Sequence, residues 1–93
     1  MRVIVLQLLK DRLGISTDSR DSVFYAIIDG ILDECKNVYG VRITEERYDH
    51  ILLVLDWATW KYNHPEDGVI PRGIRFRLNN LMIKAVQNES NMG

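Results

Sequence analysis

The 93-residue chain has one cysteine, two histidines and two prolines. The single thiol, Cys35, excludes an internal disulfide. It also excludes a cysteine-based zinc site, which needs two or more thiolates close together. No apolar run approaches the ~20 residues that span a bilayer. The first ten residues are largely apolar, but Lys10-Asp11-Arg12 follows where a small-residue cleavage site would stand, so no signal peptide is expected. Internal repeats and low-complexity stretches are missing as well. So are the glycine patterns of a P-loop or Rossmann turn and the Gly-x-Ser-x-Gly elbow. Without these signatures, the sequence offers no starting point for nucleotide chemistry or serine hydrolysis.

What is present is an ordinary globular composition, with 46% apolar and 27% charged residues and a net charge of -1. That balance excludes a disordered chain and fits a single domain, residues 1–93. A chain this short buries only roughly 60–65% of its unfolded surface, so its core margin is small.

Charge is uneven along the chain. Residues 15–67 carry eleven acids against five bases, whereas residues 71–84 carry Arg72, Arg75, Arg77 and Lys84 with no acid. Such a division suits a nucleic-acid contact or an acid-against-base contact between protein surfaces.

Hydrophobic periodicity predicts four helices and no strand. The first covers about Val3 to Leu13, with a stripe of Val3, Leu6, Leu9 and Leu13, and stops at Gly14. The second runs from about Arg20 to Tyr39, capped by Asp18 or Ser19. It places Val23, Phe24, Ile27, Ile28, Ile31, Leu32, Cys35, Val38 and Tyr39 on one half of its wheel. The third opens at Thr44 as N-cap, with Ile43 and Tyr48 as a hydrophobic staple, and ends before His64-Pro65. It is apolar on two sides: Tyr48, Ile51, Leu52, Leu55, Ala58 and Tyr62 on one, Leu53, Val54, Trp57 and Trp60 on the other. A helix of that kind lies at the centre of its bundle or beneath another subunit. The fourth runs from about Pro71, its first helical residue, to Val86 and carries Ile74, Leu78, Leu81 and Ala85 inward, with Phe76 and Ile83 on another side. A frayed tail is expected over residues 88–93. The fold class predicted is a small all-α four-helix bundle with one long central amphipathic helix, the second.

Few residues carry chemistry. His50 and His64 have no partner at metal spacing, and Cys35 falls on the buried side of its helix. No catalytic, cofactor or metal site is therefore assigned. The candidate contact residues are Asp29, Asp33 and Glu34 on the second helix, Trp57 and Trp60 on the third, and Arg72, Arg75 and Arg77 on the fourth. The acids could gather a cation or face a neighbour, and the tryptophans are core or interface anchors. The arginines could meet phosphate or an acidic surface. Arg75 and Arg77 point to different sides of their helix, so the three form no single stripe.

Several segments together resemble the small head–tail connector proteins of tailed bacteriophages, also called adaptor or head-completion proteins. Leu8-Leu9-Lys10-Asp11-Arg12-Leu13-Gly14-Ile15 resembles the first helix and its turn. Asp18 and Asp21 before Val23-Phe24-Tyr25-Ala26-Ile27-Ile28 resemble the acidic start of the second, and Val38-Tyr39-Gly40 its end. Ile51-Leu52-Leu53-Val54-Leu55-Asp56-Trp57-Ala58-Thr59-Trp60 with Asn63 resembles the third, and Ile70-Pro71 with Ile74 and Leu78 the last. Gly30 and His64-Pro65 depart from that pattern.

The resemblance implies a non-enzymatic virion protein at the head–tail interface, assembled in the host cytoplasm. It implies a ring, commonly of twelve copies, beneath the portal protein. A tail-side connector or stopper would bind next, DNA would pass through without sequence-specific binding, and no membrane or cofactor would be involved. The alternative from another class is a small helix-turn-helix DNA-binding regulator, with the fourth helix in the major groove. The net charge of -1 and the long connection between Asn63 and Ile70 fit it poorly.

Overall fold

A computed structural model describes residues 1–66 and 68–92, with residues 87–92 described by backbone alone. Four helices account for most of the chain: α1 (Arg2–Leu13), α2 (Asp21–Asn37), α3 (Tyr48–Asn63) and α4 (Arg72–Met92). No strand occurs among the described residues. The frayed tail predicted over 88–93 falls outside the described side chains, and Gly93 outside the described residues altogether.

The end of α1 is fixed by Gly14. Its φ of 70° is left-handed, a region where any residue with a Cβ is strained. There the Gly14 N–H donates to the Asp11 carbonyl and the Ile15 N–H to the Lys10 carbonyl, at 3.3 and 2.9 Å. This double closure satisfies two of the free carbonyls at the helix end, and Ile15 packs onto the core behind it. The inward face of α1 differs from the predicted stripe. Val5, Leu6 and Leu9 are buried and Val3 is exposed, because the core lies on the Val5 side of Leu6 and Leu9.

Lys10 is buried alongside them. Its ammonium lies 2.9 Å from Asp18 and 2.9 Å from Asp21 Oδ1. Hydrogen bonding to these two carboxylates raises its pKa against the opposing effect of burial, and the same bond to Lys10 lowers that of Asp18. Asp18 is thereby taken from the capping role predicted for it. The N-cap of α2 is Arg20, without a side-chain cap bond, and Ser19 pairs with Thr17. The turn is held from α1 rather than from within α2.

Within α2 the core face is narrower than the wheel suggests. Phe24, Ile28, Ile31 and Cys35 are buried, whereas Val23 and Val38 are exposed. At 17 residues α2 is shorter than predicted, and α4 at 21 is longer. The helix at the centre is not α2, as predicted, but α3, which alone packs against all three others because α2 meets only α1 and α3. Among the described residues α2 and α4 do not pack together. The two-sided apolar pattern of α3 therefore reflects central burial: Ile51, Leu53, Val54, Leu55, Trp57 and Ala58 all lie in the interior. Burying each of its larger side chains contributes roughly 1.5–3 kcal/mol. Among the described residues the Trp57 Nε1–H, buried in the interior, has no acceptor.

The start of α3 lies four residues beyond the predicted cap. Thr44 is not the N-cap; Arg47 is, and Tyr48 is 84% exposed, so no staple forms with Ile43. The Thr44 N–H is engaged elsewhere, donating to Nδ1 of His50 at 3.0 Å, and its hydroxyl accepts the Glu46 N–H. At the other end His64 caps the helix before Pro65. Pro71 stands just before α4, its carbonyl accepting the Arg75 N–H at 2.9 Å. Ile74, Leu78 and Leu81 then bury the predicted stripe. Phe76 and Ile83, seven residues apart on the opposite side, are exposed. With extents of 48 × 27 × 19 Å the molecule is elongated.

Candidate partner-docking cleft

The three acids of α2 are engaged differently, although Asp29 and Asp33, four residues apart, share a helix face. Asp29 accepts two hydrogen bonds from the Arg2 guanidinium, at 3.0 and 2.9 Å, and that guanidinium also covers the Tyr25 ring at 4.1 Å. Asp33 accepts the Asn37 amide at 2.6 Å, one turn on. Glu34 is half-buried and faces the α3 side. Among the described residues no three His, Cys, Asp or Glu side chains gather as a metal cage.

The two tryptophans separate in the same way. Trp57 is fully buried and belongs to the core. Trp60 is half-buried, and its ring stacks on His64 at 4.9 Å with 14° between the planes. A spacing of three places them side by side, and the inward tilt of one leaves the other at the surface.

The arginines divide too. Arg77 donates to Asp56 at 2.6 Å, and Arg12 of α1 donates to the other Asp56 oxygen at 2.7 Å and to Thr59 at 3.2 Å. Burial alone would raise the Asp56 pKa, but the two guanidiniums outweigh it and hold the carboxyl below its ordinary value. This bridge ties α1, α3 and α4 together. Arg72 is exposed, and Arg75 points to a different side from Arg77.

Four of the eight candidate residues meet at one place. Glu34, Trp57, Trp60 and Arg75 line a cleft of about 780 Å³ between α2, α3, the connection after α3 and the start of α4. The cleft exists because α2 and α4 both pack on α3 without closing on each other. Its apolar wall comes from Val23, Ile27, Trp60, Pro65, Val69 and Ile70. Lys61 lies within it, its ammonium 5.3 Å from the Trp57 ring centre. Asp29, Asp33, Arg72 and Arg77 are not part of it.

Val23, Ile27, Lys61, Val69 and Ile70 were not among the contact residues read from the sequence, where Val23 and Ile27 counted as core. Val23 carries a signal in retrospect: it sits at the edge of the apolar half of α2 and is 51% exposed. The Val69-Ile70 pair stands in a connection that has no periodicity to place it.

Cys35 is close to this region but offers no reactivity. Burial, aided by Glu34, pushes its thiol up to about 11, although Lys61 opposes the shift. What the cleft offers is an apolar floor with charges of both signs at its rim. Its volume lies within the range of ligand sites, and its lining suits an aromatic or aliphatic anchor from a partner. No helix is long and apolar enough to cross a membrane among the described residues. Neither a family model, nor a curated protein, nor a solved structure matches the chain.

Proposed function

We propose that the chain is a head–tail connector of a tailed bacteriophage, a structural protein that joins the portal vertex as a ring and presents a platform for the next tail-side component. The observation that carries this reading is the open cleft over α3. It holds half-buried Trp60 beside Arg75, Lys61 and Glu34, an arrangement suited to docking. The sequence resemblance supplies the biological setting, and we read the four helices as the small bundle of that family. In this reading no bond is made or broken: binding energy comes from apolar burial in the cleft, and the rim charges set register.

Ring closure needs two different surfaces on each copy. The cleft is one. The exposed side of α4, with Arg72, Phe76 and Ile83, and the acids of α2 are the candidates for contact with a neighbouring copy or the portal. Asp29 and Arg77 take part less directly, because each is committed to a partner within the chain. Trp57 acts only as the floor.

The test is co-elution with the portal protein encoded alongside. Wild-type chain should co-elute, whereas Trp60→Ala and Arg75→Glu should each weaken binding at least tenfold while keeping the helical circular dichroism of the wild type. Unchanged co-elution of both variants would remove the cleft from the docking surface. Absence of wild-type binding, with salt-sensitive binding to duplex DNA, would favour the regulator instead.

A further inference from the structure

We propose that the connection between α2 and α3 carries a proton-operated latch, in which His50 holds Thr44 only while its ring is neutral. The argument starts from the donor. The Thr44 N–H points at Nδ1 of His50 at 3.0 Å, and a ring nitrogen accepts a hydrogen bond only when it bears no proton. The imidazolium has donors on both nitrogens, so protonation at Nδ1 sets N–H against N–H. The ring is 6% exposed and has little water to turn towards.

The surrounding charges do not welcome the proton. On α3 itself Asp49 is the one nearby acid, but its carboxylate is already bound through both oxygens to Arg47, at 3.1 and 2.9 Å. Arg47, from the connection, and Lys84, from α4, repel an imidazolium. Burial is the largest influence and lowers the His50 pKa below 6.5, Asp49 opposes it, and Arg47 and Lys84 add to it. The sign follows. An opened connection takes up a proton at a pH where the closed one does not, so acidification from 6.5 downward favours opening.

The latch spans residues that anchor both neighbouring helices. Val41 is buried and its N–H returns to the Cys35 carbonyl at 2.8 Å, made possible by Gly40 at a φ of 66°. Release of Thr44 would loosen this connection and the first turn of α3, where Lys84 lies on the α4 side. The latch is independent of the portal reading, because it concerns a different end of α3 from the cleft.

The test is amide hydrogen exchange of the whole chain by NMR, corrected for intrinsic pH dependence, between about pH 7.5 and about pH 5. Protection of the Thr44 amide should fall with acidification, approaching tenfold per pH unit, the limit for one proton. His50→Asn keeps an acceptor near the Nδ1 position without titrating, and should make that protection independent of pH. Lys84→Met provides a second arm should His50→Asn fail to fold: it should raise the His50 midpoint and move the loss of protection to higher pH. Thr44 protection equal at both ends of the range, or a His50 midpoint at or above 6.5 that Lys84→Met leaves in place, would overturn the proposal.

Discussion

At the scale of single residues, the chain uses its two tryptophans differently. Trp57 is a fully enclosed core side chain whose indole N–H has no acceptor among the described residues, whereas Trp60 stands at the cleft with His64 against it. Truncating Trp57 to alanine should destabilise by about 3–5 kcal/mol, enough to unfold a small domain. Trp57→Phe keeps most of the ring and removes the orphan donor, so it should cost less than about 2 kcal/mol. Trp60→Ala, at a half-buried position, should cost less than Trp57→Ala. Urea unfolding of the three variants gives the order, and a Trp60→Ala loss equal to that of Trp57→Ala would contradict it. The sequence placed both residues on one side of α3, which is right. It could not say which one lay deeper, because that depends on where α2 and α4 lean on α3. The same limit applied to charge. Arg2 with Asp29 and Arg12 with Asp56 are partners 27 and 44 positions apart, pairings that no local pattern displays.

At the scale of elements, helix ends were legible where a residue has only one use for its backbone. Gly14 ended α1 and Pro65 followed the end of α3, whereas α4 begins at Arg72, one residue after the Pro71 predicted as its first helical position. Helix starts were less legible, since side chains that can cap can also bond elsewhere. Asp18 turned to Lys10, and the backbone of Thr44 to His50, so α2 and α3 both begin later than their capping residues suggested.

Two glycines give a paired prediction. Gly14 has a φ of 70°, so Gly14→Ala should destabilise by about 1–2 kcal/mol although open space surrounds its Cβ position. Gly30 lies inside α2 with ordinary helical backbone and nothing within 4 Å of an added Cβ. Gly30→Ala should therefore stabilise by about 0.5–1 kcal/mol. Thermal unfolding of both variants reads the two signs; a Gly30→Ala variant less stable than wild type would show that the α2 surface is crowded in the protein.

At the scale of the molecule, three helices are tied through one carboxylate. Asp56 joins Arg12 of α1 to Arg77 of α4 from its place on α3. Its pKa lies below the ordinary value of 3.8, so its stabilising effect is complete above that value and is lost as pH falls through the lower folded one. Because the group is partly solvated, the effect is modest, no more than about 1 kcal/mol. Asp56→Asn should lower stability by that amount at neutral pH and by less below pH 3.8, where the wild type begins to lose the same interaction. Denaturant titrations at about pH 7 and about pH 3 measure the difference, and an equal gap at both would rule out the ionic bridge.

The four-helix, all-α character was legible because long amphipathic segments separated by turn residues leave few alternatives. The centre was misplaced: the two apolar sides of α3 fitted either central burial or a subunit contact, and the long amphipathic pattern of α2 drew the centre to α2, whereas α3 is the helix that packs on all the others. The cleft was not legible as a whole: half of its wall comes from Val69, Ile70 and Pro65, in a connection whose path depends on α2 and α4 remaining apart.

Docking on a portal is a proposal that one measurement can test. Native mass spectrometry of the chain mixed with the portal protein encoded nearby tests it most directly. A connector should form a complex with about one copy of the chain per portal subunit, the stoichiometry of a ring built on a ring. The chain remaining free beside an intact portal, while binding duplex DNA in a salt-sensitive manner, would contradict it.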